Sequence, residues 1–419
     1  LMWFKPLSMA TEQTATFENL WKEFYVKYFT KSKDVKKLYN ITESWAPFYS
    51  YEKGFGAGKY FVSIDIGGGT TDILAFDNNK PSLTSSFRFA GNDLFDNGLN
   101  FDDARDHVSS KKDNGFALHF SRLMEKRFES NNEDDKLSIL NYILNSNELR
   151  SEDLISFFFG VDGFSEMVKL DKNFGLLFLL HNAAIFYHCA QILKRKEPNH
   201  IPSHIGLSGN GARLLEIPNK SNNMNRPKGM ANMVSHIFKH VFEAEETPDI
   251  KIHILDNPKE STAIGGIIGL EQIISNPTGD IDNYYISAGD EETLIHNNDY
   301  ETKRKYNLKV VRDELDLLDK VGLNYRKFIH YFFEQLWFEC DLPNNMGVDK
   351  SYNTEKLLAY FTNENNIRNV LDSMVNYKMD VEKVLHLNET LFFVPVKAYL
   401  YDFSKIIADE NELKKFKGN

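Results

Sequence analysis

The stretch Tyr60–Phe76, YFVSIDIGGGTTDILAF, decides how the rest of the chain is interpreted. An apolar run ends at Asp65, three glycines follow at 67–69, and a second apolar run leads away from Asp72. This pattern predicts a strand, a tight turn and a second strand. Glycine also permits positive φ and a close approach of backbone to a ligand. Consecutive N–H groups can therefore form a concave site for phosphate oxygens.

Polar side chains flank this turn. Thr70 and Thr71 add hydroxyl groups, and Asp65 and Asp72 place a carboxylate on either side. A carboxylate repels a phosphate unless a hard cation lies between them, and Mg²⁺ uses one or two carboxylates while keeping several waters. The sequence therefore predicts a nucleoside triphosphate with Mg²⁺, its phosphates bound by Gly67, Gly68, Gly69, Thr70 and Thr71. The alternative is a glycine hairpin with acidic residues on a solvated turn.

Composition narrows the class of protein. The chain has 419 residues, of which 42% are apolar, enough for about two or three domains with real cores. Its net charge of −11, from 60 acidic and 49 basic residues, predicts no binding to nucleic acid. Cys189 and Cys340 lie far apart and lack the spacing of a metal site or a disulfide framework, which favours a reducing, cytoplasmic location.

Neither the start of the chain nor its most apolar segment predicts a targeting signal. No signal-peptide pattern opens the chain, and because it begins at Leu1 we expect a fragment of a longer protein. The segment Asn173–Leu193 is long enough to span a bilayer, but it carries His181, Asn182 and His188. We therefore predict a buried helix and no membrane span.

The stretch 60–76 resembles the second phosphate motif of the actin and heat-shock-chaperone ATPase superfamily, which also contains sugar kinases, exopolyphosphatases and bacterial actin homologues. In the chaperone branch a strand ends in a glutamate before a small-residue helix, and Glu43 falls at that place after residues 36–42. The resemblance implies that Glu43 orients the attacking water. The alternative is that Glu43 caps the helix near Ala46. Ser44 departs from the family pattern, where many relatives have proline.

Two later segments extend the resemblance. Ser203–Arg213, SHIGLSGNGAR, is similar to the superfamily's adenosine motif, although one of its common glycines is replaced by asparagine. It implies contacts to the nucleoside from Gly209, Asn210, Gly211 and Arg213. Ile252–Leu270 resembles the second interdomain connector, in which small residues allow close helix packing.

The resemblance implies an α/β fold: an actin-like ATPase lobe of ribonuclease H-like type, with an inserted subdomain and a mainly helical C-terminal extension. The expected parts are the tail of the first lobe at 1–58, the nucleotide-binding lobe at 59–91 and 171–280, the insertion at 92–170, and the extension at 281–419. Within the extension, apolar periodicity predicts helices at Val310–Phe338, Thr354–Tyr377 and Val394–Ile407, and the asparagine-rich stretch near Asn363–Asn366 is expected to be a loop.

The implied function is that of an ATP- and Mg²⁺-binding switch that controls self-assembly or a protein partner. The superfamily's first phosphate motif does not precede Glu43, so we expect the chain to be inactive as an ATPase on its own. Two alternatives stay open: an exopolyphosphatase or small-molecule kinase of the same superfamily, and a non-catalytic interaction scaffold.

Overall fold

The computed structural model describes residues 1–5, 11–30, 37–42, 45–55, 60–77, 80–95, 115–146, 148, 151–196, 199–218, 223–225, 228–254, 260–275, 306–307, 312, 315–381, 383, 386–387 and 390–418. Within them the chain is a mixed α/β protein, as predicted. Glu43 and Ser44 lie outside the described residues.

The strands are β1 Met2–Lys5, β2 Tyr39–Thr42, β3 Tyr60–Ile66, β4 Thr71–Asp77, β5 Lys80–Phe87, β6 His204–Ser208, β7 Lys251–Ile254, β8 Tyr306–Asn307 and β9 His386–Leu387. The first nine helices are α1 Thr11–Tyr28, α2 Trp45–Phe55, α3 Gly115–Asn131, α4 Asp134–Asn145, α5 Ser151–Phe159, α6 Phe164–Leu170, α7 Lys172–Lys196, α8 Met230–Phe242 and α9 Ser261–Ser275. Then follow α10 Leu315–His330, α11 Trp337–Glu339, α12 Leu342–Asn345, α13 Thr354–Phe361, α14 Glu364–Asp380, α15 Phe393–Ala408 and α16 Glu410–Lys414. Two short 3₁₀ helices, η1 Gly91–Leu94 and η2 Asn210–Glu216, complete the elements near the turn, and a π-helical segment, Tyr331–Leu336, joins α10 to α11.

A five-stranded sheet with the order β5-β4-β3-β6-β7 forms the centre of the fold. β3, β4 and β5 are antiparallel neighbours, as the sequence predicted for the glycine turn, while β6 pairs parallel with both β3 and β7. The carboxyl ends of β3, β6 and β7 therefore lie at the same edge of the sheet as the β3–β4 turn. In open α/β sheets this edge is where ligands bind.

Each face of the sheet is covered by helices. On β3, Val62 and Ile64 belong to the large core that contains α7, whereas Phe61 joins a smaller core with α2. This alternation is the period of two that a strand imposes on its side chains. β3 is buried on both faces, which explains its nearly continuous apolar sequence.

The glycines of α9 permit its close contact with α2. A Cβ built on Gly265 would overlap the carbonyl of Ala46, and one built on Gly269 would overlap the ring of Tyr49. The close packing predicted for this small-residue helix is thus observed. Its exposed side includes Ile267.

The predicted buried helix is α7. Among the described residues it is the one helix that is long and apolar enough to cross a membrane, and its apolar window is completely buried inside the protein. His181, Asn182 and His188 are buried with it.

The C-terminal helices follow the predicted periodicity with one difference. The asparagine-rich stretch near Asn363 was expected to be a loop, but it begins α14: the Asn363 side chain accepts a hydrogen bond from the Asn366 N–H, at 3.1 Å. Asparagine is among the strongest N-cap residues, which is why the stretch starts a helix.

The proposed domain boundaries stay a prediction. The large core runs without interruption from β3 through α7 to α10 and α15, so these C-terminal helices pack on the same core as the central sheet. α15 contacts both α3 and α7.

We predict that Gly265→Ala destabilises the protein, because the added methyl group meets the backbone of Ala46 and only a shift of a helix can make room for it. The free energy of unfolding should fall by about 1–3 kcal/mol, the usual cost of overpacking, measured by chemical denaturation. Ile267→Ala, on the exposed side of α9, is the control and should have little effect. Equal stabilities of the two variants would contradict the contact.

Candidate functional site

The register of the sheet brings Asp65 and Asp72 together. The two residues are directly paired between β3 and β4, and Ser208 of β6 is paired with Asp65 on its other side. Directly paired residues share a face, so the two predicted carboxylates lie side by side on the face covered by α2 and α9. Two like charges in this arrangement repel each other unless a proton or a cation lies between them.

The surroundings of Asp65 disfavour its charged form. Burial raises the pKa of this carboxyl from 3.8 to about 6, and the neighbouring hydroxyls of Ser208 and Thr262 oppose the rise. Thr262 Oγ1 lies 3.5 Å from Asp65 Oδ2 and belongs to the first turn of α9. The carboxylate is therefore next to a helix N-terminus, where negative charge is favoured.

The turn between the carboxylates is closed by its own backbone. The Gly67 N–H donates to the Thr70 carbonyl at 2.9 Å, so this donor is used within the turn. Gly68 and Gly69 are exposed at its tip. Of the three glycine N–H groups that were predicted to bind phosphate, this leaves those of Gly68 and Gly69.

Thr71 serves the structure of the sheet. It is fully buried, and its hydroxyl donates to the Phe89 carbonyl at 2.7 Å. Side chains alternate along a strand, so the side chain of Thr71 lies on the opposite face from that of Asp72. Thr70, which is partly exposed, is the hydroxyl residue at the surface of the turn.

The second glycine turn packs against the first. Gly209 has φ +80°, and a Cβ there would overlap the carbonyl of Ile66; a Cβ on Gly211 would lie 2.7 Å from the Gly67 carbonyl oxygen. Glycine is required at both positions by positive φ or by backbone contact. Asn210 and Arg213 are exposed on the same short segment.

The structure therefore assembles most of the predicted site residues at one edge of the sheet, while Glu43 falls outside the described part. It also adds residues that the prediction left out: Thr262, Ser208 and the η1 segment. The available signal for η1 was a glycine and an acidic residue, Gly91 and Asp93, that follow β5 in the sequence. Thr262 had no local signal, because the fold alone brings it to Asp65.

The donor set fits a magnesium ion that retains waters and phosphate oxygens. Asp65 and Asp72 supply two carboxylates, and the hydroxyl of Ser86, opposite Asp72 on β5, is buried with no hydrogen-bond partner among the described residues. The same part of the chain contains no group of three or more histidine, cysteine, aspartate or glutamate residues that would enclose a metal without a ligand. Mg²⁺ commonly binds through one or two carboxylates and substrate phosphates.

No protein-family model matches the chain, and no curated protein matches it. Solved structures do match it. MreB5 of Spiroplasma citri bound to ADP is 14% identical, with 67% of this chain and 71% of that chain covered and a TM-score of 0.28. A ParM filament from Clostridium botulinum is 14% identical, with 64% and 65% covered and a TM-score of 0.27. A ROK family glucokinase from Streptomyces griseus, in complex with glucose and AMPPNP, is 14% identical, with 55% and 67% covered and a TM-score of 0.25. With TM-scores below 0.5, these likenesses support no conclusion about this chain.

We predict that Asp65 makes stability depend on pH. Its pKa is higher in the folded protein than in the unfolded chain, so its stabilising contribution is complete below pH 3.8 and is lost as pH rises through about 6. Asp65→Asn cannot ionise and should therefore be more stable than wild type by about 1–3 kcal/mol at pH 8. The difference should vanish near pH 4.

Thermal unfolding of both proteins between pH 4 and pH 8, without divalent cations, measures this effect. Asp77→Asn, at the exposed end of β4, is the matched control. A pH-independent difference between Asp65→Asn and wild type would show that desolvation does not control this carboxyl.

Proposed function

We propose that the chain binds a nucleoside triphosphate with Mg²⁺ at the carboxyl edge of the central sheet, as the nucleotide-binding lobe of an actin-like or chaperone-like ATPase. The observation that carries the proposal is the cross-strand pair Asp65–Asp72 beside the turn 67–70. A cation between the carboxylates and the phosphates removes the repulsion that the sheet register otherwise imposes.

Different residues of the site would bind the phosphates and the magnesium ion. Gly68, Gly69 and Thr70 are accessible for the phosphates. Asp65 and Asp72 would hold the magnesium ion through its waters. When bound, the ion supplies charge neutralisation at the phosphates. Thr71 was also predicted to bind phosphate, but its hydroxyl donates to the Phe89 carbonyl and thus supports the turn.

The second glycine turn, at 209–211, forms the surface on which the nucleoside would bind. Because Gly209 and Gly211 hold this segment against Ile66 and Gly67, the exposed residues Asn210 and Arg213 are fixed close to the phosphate turn. Arg213 can stack its planar guanidinium on a base. This arrangement supports adenosine binding on the side of the turn that faces β6.

Catalysis requires groups on both sides of the phosphates, fixed around the developing charge in a site from which water is excluded. The described residues proposed here as ligands all lie at one edge of the central sheet. Glu43, which directly follows β2, is the proposed orienting residue for the attacking water. We propose that the chain acts as a nucleotide-dependent switch for self-assembly or for a partner only when a second lobe supplies the groups on the other side of the phosphates.

We predict that Asp72→Asn weakens Mg²⁺-ATP binding about tenfold, the loss expected for one charge-assisted contact, without lowering affinity for ATP in EDTA. Calorimetric or NMR titration measures both affinities, with wild-type binding expected near millimolar strength, about −4 kcal/mol. Asp77→Asn is the control. Equal Mg²⁺-ATP affinity for wild type and Asp72→Asn would remove the metal assignment, and no binding by wild type would favour the scaffold alternative.

We also predict that the chain alone releases no phosphate from ATP above background. In a protein with both lobes, Glu43→Gln should lower turnover by about 10²-fold or more with little change in ATP affinity, because glutamine keeps the size but loses the charge. A phosphate-release assay measures both. Micromolar binding with steady turnover by the chain alone, abolished in Glu43→Gln, would show that a complete catalytic site is already present.

A further inference from the structure

A short backbone segment lies directly behind the phosphate turn. The Gly91 N–H donates to the Gly67 carbonyl at 3.1 Å, and the Asn92 N–H donates to the Gly68 carbonyl at 2.8 Å. These two bonds direct the Gly67 and Gly68 carbonyls toward η1 and thereby orient the peptide planes of the turn. The position of η1 therefore determines the position of the turn.

Asp93 fixes η1 through both of its oxygens. Asp93 Oδ2 accepts the Ala90 N–H at 2.7 Å, which closes the first turn of η1. Asp93 Oδ1 forms an ion pair with Lys397 Nζ at 2.7 Å. The Asp93 side chain is 5% exposed and that of Lys397 is 15% exposed, so the pair lies in the interior.

Two further contacts of this segment involve neutral groups. His181 Nε2 lies 2.9 Å from the Ala90 carbonyl oxygen and donates to it, and burial lowers the pKa of this imidazole, which keeps the ring uncharged. Thr71 donates to the Phe89 carbonyl. The Asp93–Lys397 pair, in contrast, brings two charges to the segment.

Aromatic packing fixes the helix that carries Lys397. The ring of Phe393, at the start of α15, stacks on Phe89 at 4.3 Å between centroids and on Phe87 at 4.9 Å. Both partners lie on the stretch that leads from β5 into η1. Lys397, one helical turn after Phe393, is thereby aimed at Asp93.

A buried ion pair contributes little stability compared with well-packed apolar residues, because both charges lose their hydration. It does fix geometry, since its partners must stay within hydrogen-bond distance to offset that loss. We propose that Lys397 is a positioning residue for the phosphate turn and acts through Asp93 and η1. Only the identity of the ligand rests on the proposed function.

Hydrogen exchange of the Gly67, Gly91 and Asn92 amides, called the turn amides below, tests the proposal without any ligand, because each of these N–H groups is hydrogen-bonded within the turn or between η1 and the turn. Lys397→Met alone leaves the Asp93 carboxylate buried without a counter-charge. The variant to compare with wild type is therefore the charge-neutral double variant Asp93→Asn/Lys397→Met. In this variant the amide oxygen introduced at position 93 can still accept the Ala90 N–H. Lys397→Arg restores a cation. Lys405→Met, an exposed lysine on the same helix, is the matched control.

We expect the double variant to unfold at the wild-type temperature, yet to exchange the turn amides about tenfold faster and to bind Mg²⁺-ATP about tenfold more weakly, as for one lost charge-assisted contact. Exchange of the α7 amides should not change. Lys397→Arg should return turn exchange toward wild type, and Lys405→Met should match wild type throughout.

Two results would overturn the proposal: wild-type exchange at the turn in the double variant, or faster exchange spread evenly over the turn and α7, which indicates a purely structural ion pair. If wild type binds no Mg²⁺-ATP but turn exchange responds to Lys397, the proposed ligand is wrong and the positioning role stands.

Discussion

The pairing register of β3 with β4 and β6 is the constraint on which the rest of the structure depends. It sets Asp65 beside Asp72 on one face and beside Ser208 across the parallel pair. A shift of one residue would exchange the two faces of a strand and turn Asp65 into the apolar core below α7. The apolar residues of both faces therefore enforce the position of the carboxylates, and burial of the charged form of Asp65 costs stability that the core must offset.

The turn between these strands is held from several directions. The carbonyl of Gly67 meets the N–H of Gly91 and the backbone of Gly211, and the sheet below is joined to Phe89 through Thr71. Close packing of backbone on backbone leaves no room for side chains, which is why glycine recurs in segments that are distant in the chain. A turn supported in this way is rigid before a ligand arrives, and a preorganised site loses less entropy on binding.

The sequence was informative where a local pattern encodes the structure. The strand–turn–strand at 60–76, the buried helix α7 and the close packing of α9 all follow from apolar runs and glycine positions. Asn363 was misjudged because asparagine favours both loops and N-caps, and only the following apolar periodicity decides between them.

The remaining features depend on contacts between distant parts of the chain. Thr71 appeared as a possible phosphate ligand, but the strand alternation turns its hydroxyl to Phe89. Thr262 and Lys397 had no local signal, since only the fold brings them to Asp65 and Asp93. Glu43 stays a prediction. The residues that meet at the edge of the sheet could thus be predicted from the sequence, but the contacts that hold the turn in place could not.

The most direct test of the central claim is a crystal structure of the chain grown with Mg²⁺ and a non-hydrolysable ATP analogue. The expected result is phosphates over Gly68–Thr70, the metal ion bound to Asp65 and Asp72 directly or through water, and the nucleoside beside Asn210 and Arg213. A nucleotide bound elsewhere, or one bound here with its metal remote from both carboxylates, would contradict it.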